Sequence, residues 1–64
     1  MAEYRITSDD LLTGEHHTLL IEAWDKKEAI QKALEVLKLA GVIGQQLLTV
    51  SRSEFVTTVV KEVK

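Results

Sequence analysis

The sequence predicts a small α+β domain, a two-layer ββαβ(β) unit with one amphipathic helix packed on one face of an antiparallel or mixed sheet. Three observations predict it. Residues 24–41 carry one capped helical stripe, the residues before them alternate with period two around a glycine turn, and those after them are rich in β-branched side chains. All 64 residues are read as one domain, residues 1–64, because no linker, repeat or low-complexity segment divides them.

Residues 3–24 form the hairpin. Tyr4 and Ile6 alternate with Arg5 and Thr7, while His17, Leu19, Ile21 and Ala23 alternate with Thr18, Leu20 and Glu22. A four-residue loop, Leu11 to Gly14, with Gly14 left-handed, suits the connection better than a two-residue turn, since Thr13 tolerates positive φ poorly. Either even loop length keeps Tyr4, Ile6, Leu19 and Ile21 on one face, and a slip by one residue splits that set. The two-residue register sets Arg5 against Glu22. The opposite face carries Arg5, Thr7, Thr18, Leu20, Glu22 and Trp24, and a single copy of the chain has nothing to cover Leu20.

Asp25 is the expected N-cap of the helix, Glu28 its capping-box partner, and Trp24 and Ala29 the flanking apolar staple. Gly41 stands where a left-handed C′ residue ends a helix. Ile30, Ala33, Leu34, Leu37 and Ala40 make the buried stripe, and Lys27, Glu28, Gln31, Lys32, Glu35 and Lys38 the solvated side. Glu28 and Lys32 form an i,i+4 pair in the favoured orientation. Val36 widens the stripe, and Leu39 points away from its centre.

After the helix, residues 42–46 read as a loop in which Val42 and Ile43 bury under the sheet edge. Residues 46–52 read as a strand with Leu48 and Val50 on one face, set antiparallel beside the first strand by a right-handed crossover. The tail is divided. Val56, Thr57, Thr58, Val59 and Val60 are five consecutive β-branched residues, each costing up to about 0.7 kcal/mol in a helix, so a strand is expected. The alternative is a short second helix over 54–63, with Ser51 and Glu54 as a capping box and Phe55, Val56, Val59, Val60 and Val63 as its stripe. A terminal strand there exposes a long apolar edge.

A chain of this length buries only about 60% of its unfolded surface, and domains this small commonly lean on disulfides, metals or self-association. Cysteine is absent, which removes disulfides and thiolate metal sites. A net charge of −2 argues against a phosphate-backbone binder. No apolar run approaches the roughly 18 residues of a membrane span, and no signal-peptide pattern occurs, so a cytoplasmic location is expected by elimination.

Candidate chemistry is sparse. His16 and His17, with Asp9, Asp10 and Glu15, gather near one hairpin end. Adjacent strand residues face opposite ways, however, so the two imidazoles cannot readily share a metal. Asp9 with His16, or Asp10 with His17, pairs across the hairpin, and a solvated polar end accounts for both. Gly41-Val42-Ile43-Gly44 has the spacing of the nucleic-acid-clamping GXXG loop, but a strand follows it and neither middle residue is basic. No nucleophile–base–acid set and no phosphate-binding glycine pattern is visible.

The expected function is therefore a non-catalytic protein–protein interaction module without a cofactor. It would self-associate or bind a protein partner through the outer sheet face or the C-terminal edge, with Leu20, Trp24, Phe55 and Val59 as the interface residues. The size and acidity also suit a regulator or inhibitor of phage or mobile-element type. The alternative is a nucleic-acid-binding accessory protein using Lys26, Lys27, Lys32, Lys38 and Arg52, a surface that Glu28 and Glu35 interrupt.

Overall fold

A computed structural model of the chain describes residues 1–52 and 55–63, with Phe55 described by its backbone alone. The elements run β1 (Ala2–Asp10), β2 (His16–Ala23), α1 (Lys26–Leu39), β3 (Gly44–Arg52) and β4 (Phe55–Val63). The strands form one sheet in the order β2-β1-β3-β4, every neighbouring pair antiparallel. The helix covers one face, lying mainly over β2 and β1. The small α+β layer pair is thus the observed fold.

The hairpin adopts the four-residue loop. Asp10 N–H donates to the Glu15 carbonyl at 2.8 Å, and Gly14 closes the loop at φ 77°. Asp10 Oδ1 accepts from the backbone N–H groups of Leu12 and Thr13, both at 2.8 Å, which ties the loop to its own base. Tyr4 then pairs with Ile21 and Ile6 with Leu19. In this register Arg5 lies opposite Leu20 rather than Glu22.

Asp25 caps α1 by accepting from Glu28 N–H at 2.8 Å, and Glu28 Oε1 accepts from Trp24 N–H at 3.4 Å. The staple does not form as expected. Ala23 is the residue that turns into the core, so the Trp24 ring beside it stands 71% exposed. At the other end Val42 N–H donates to Leu37 O at 3.0 Å and Gly41 N–H to Lys38 O at 3.1 Å, with Gly41 at φ 83°. These two bonds make a Schellman stop. The stop folds Val42 back onto the core and sends Ile43 into solvent, so only one of the two residues expected to bury does so. The buried stripe is Ala29, Ile30, Ala33 and Leu37, with Leu34 partly buried. Ala40, past the last helical turn, is exposed.

Two expectations for the last third change. Strand β3 starts at Gly44 instead of Gln46, because Gly44 and Gln45 extend the ladder opposite Val63 and Glu62. The tail is a strand and not the alternative helix, with β4 paired along its whole length to β3. The capping box offered for that helix, Ser51 with Glu54, falls in part on Glu54, outside the described residues.

The core holds Tyr4, Ile6, Ala23, Leu48, Val50 and Val63 from the sheet under the four helix residues. One polar chain is enclosed with it. Ser8 Oγ donates to Gln46 Oε1 at 2.7 Å, and Gln46 Nε2 donates to Asp10 Oδ2 at 3.2 Å. Ser8 and Gln46 are fully buried, and neither leaves a side-chain polar atom without a partner. Among the described residues no helix is long and apolar enough to cross a membrane.

Candidate functional site

One helix covers one face, so the other face of the sheet has no layer over it. Strand alternation sends every second side chain there, and the three registers sort those side chains into rows that cross the sheet. Leu20, Arg5, Ser51 and Val56 make one row. Thr18, Thr7, Thr49 and Thr58 make the next, one threonine from each strand. His16, Asp9, Leu47 and Val60 make the third. The apolar members are open to solvent: Leu20 is 64% exposed, Val56 67% and Val60 53%.

The charged and titratable side chains on this face are Glu3, Arg5, Asp9, His16 and Glu22 on β1 and β2, and Glu62 opposite Gln45 near the end of β4. Asp9 pairs with His16 through Nδ1 in the cross-strand arrangement that the four-residue loop selects. Arg5 has no ion-pair partner among the described residues. Glu3 and Glu22 sit opposite each other at one end of the sheet, beyond the Arg5 row.

The four expected interface residues are not brought together. Leu20 lies on the uncovered face. Trp24 projects near the start of α1. Val59 lies on the helix side, opposite Leu48, and packs partly against the core. The side chain of Phe55 lies outside the described residues. Val56 and Val60 hold the exposed positions instead, together with the threonine row. Taken as a strand, the tail had to present Val56, Thr58 and Val60 on one face, but its run of similar residues does not reveal which face.

Two smaller apolar features flank the sheet. Ile30, Leu34 and Val59 line a groove of about 280 Å³ between α1 and β4, with Lys26, Lys27 and Lys61 at its rim. At the hairpin end Leu11, Leu12 and Ile43 surround a shallow depression, and Leu12 is 94% exposed on its turn.

The cations of the nucleic-acid alternative are largely engaged within the chain. Lys32 Nζ lies 3.2 Å from Glu28 Oε1 and donates to the Glu22 carbonyl at 2.9 Å. Lys26 Nζ donates to Thr57 Oγ1 at 3.5 Å, and the Arg52 guanidinium lies 5.5 Å from the centroid of the Tyr4 ring. Near the hairpin end, the backbone N–H groups of Thr13 and Leu12 hold the Asp10 carboxyl below its usual value, partly opposed by burial and helped by Gln46. Among the described residues no three His, Asp or Glu side chains converge to hold a metal ion. Comparisons with protein-family models, with curated proteins and with solved structures find no match to this chain.

Proposed function

We propose that this chain is a non-catalytic protein-binding module and that it docks through the uncovered face of its sheet. The observation that carries this reading is the face itself. An entire side of a four-stranded sheet lacks a second layer and exposes Leu20, Val56 and Val60 beside an uncharged threonine row. Scattered single hydrophobes are normal on a protein surface, whereas several exposed on one uncovered face mark a contact surface. The small core supports the same reading, because a domain of this size gains much from further burial.

Leu20→Asp tests it. The substitution places a carboxylate at the outer edge of the face without touching the core. The expected result is loss of self-association in sedimentation, or loss of a partner captured from the native host, with the circular dichroism spectrum unchanged. If oligomer size and partner capture both survive Leu20→Asp and Val60→Asp, the face is not a docking surface.

A further inference from the structure

We infer that the occupant of the uncovered face is a second copy of this chain, packed sheet to sheet about a two-fold axis that runs along the threonine row. The inference rests on the docking reading above and adds the partner and the geometry.

The row pattern carries the argument. A two-fold axis lying over Thr18, Thr7, Thr49 and Thr58 sets each threonine near its own counterpart. It also exchanges the two flanking rows. Arg5 of one copy then lies over Asp9 of the other, Val56 over Val60, Leu20 over His16 and Ser51 over Leu47, each contact occurring twice. The charge complementarity is specific to this axis. An axis along the strands would set Arg5 against Ser51 and Asp9 against Leu47.

Threonine suits the centre of such an interface. A hydroxyl both donates and accepts, so a threonine facing its own copy can satisfy and be satisfied, which a carboxylate or ammonium facing itself cannot. The geometry also accommodates the charges. Packed sheets lie about 10 Å apart and cross at about 30°. Arg5 is on a central strand, where that crossing displaces its target by only about 3 Å, within the reach of its side chain. The molecule measures 30 × 20 × 15 Å. A sheet spanning the two longer dimensions covers about 600 Å² per copy, or about 1,200 Å² in the pair, the lower bound for a specific interface.

Charge exchange tests the pairing on the intact chain. In analytical ultracentrifugation Arg5→Asp and Asp9→Arg are each expected to weaken the dimer at least about tenfold, because each sets like charges face to face twice. The Arg5→Asp/Asp9→Arg double variant should dimerise again, as should an equimolar mixture of the two single variants. Since the chain has no cysteine, Thr7→Cys gives a second readout: a short bifunctional thiol reagent should link two copies through that one position. A wild-type chain that stays monomeric to about millimolar concentration, the weakest association worth the name, overturns the second-copy inference. The docking reading would still stand if Leu20→Asp abolished capture of another protein. A dimer indifferent to both charge reversals and not linked through Thr7→Cys overturns the face-to-face geometry.

Discussion

The two faces of one sheet differ more than any two segments of this chain. Leu47 and Leu48 are neighbours in β3, yet Leu48 is fully buried under α1 while Leu47 lies on the uncovered side. The covered face is mainly apolar, closed by a capped helix, and its buried polar pair, Ser8 and Gln46, is bonded internally. The uncovered face is built from threonines, valines and isolated charges arranged in rows. The first arrangement holds the fold together, and the second stands without a covering layer. Stability and association should therefore be separable by mutating one face or the other.

The sharpest separation is expected at Leu48. Leu48→Ala should cost about 2–5 kcal/mol, since it leaves a cavity beneath the helix, a large share of the roughly 3–10 kcal/mol that a domain this small holds in total. Urea denaturation should show the loss, while Leu20→Ala on the opposite face stays within about 0.5 kcal/mol. Equal losses at the two sites would erase the distinction between the faces.

The enclosed polar chain comes next. Gln46→Leu leaves the buried Ser8 hydroxyl without its acceptor and should cost about 1–3 kcal/mol. Adding Ser8→Ala should recover part of that loss, because the orphaned hydroxyl is then gone. No recovery in the double variant would mean that packing, not hydrogen bonding, sets the cost.

A smaller effect is expected in acid. The Thr13 and Leu12 N–H groups hold the folded-state Asp10 carboxyl below the ordinary aspartate range, so the associated stability is present above that range and is lost as pH falls through the folded value. Thermal melts of Asp10→Asn should depend less on pH over this acid range than those of the unmodified chain. Identical profiles would show that the hairpin-loop bonds do not favour the ionised carboxyl.

Much of the covered face was legible in the sequence. Tyr4, Ile6, Leu19 and Ile21 identified the buried face of the hairpin, Thr13 and Gly14 selected its four-residue loop, and Asp25, Glu28 and Gly41 bounded the helix. Those signals are local: a cap, a glycine with positive φ, an alternation across one short loop. The uncovered face was legible only in part. Leu20 could be placed because its hairpin alternates clearly. Val56 and Val60 could not, since five β-branched residues in a row carry no period-two contrast. The parity of β4 is decided by its long-range pairing with β3, which placed Val59 inward and Val60 outward. The threonine row is wholly non-local, because it exists only once three registers are combined. For Trp24 the staple was the misleading signal: Ala23 fills the core, and the ring beside it stays exposed.

The most direct test of the separation between faces is a methyl NMR spectrum recorded over a dilution series. Association through the uncovered face predicts concentration-dependent shifts for the methyl groups of Thr7, Thr49, Val60 and Leu20, with those of Ile6, Leu37 and Leu48 unmoved. Shifts confined to Leu34 and Val59 in the groove beside β4, or to Leu11, Leu12 and Ile43 at the hairpin end, would contradict it.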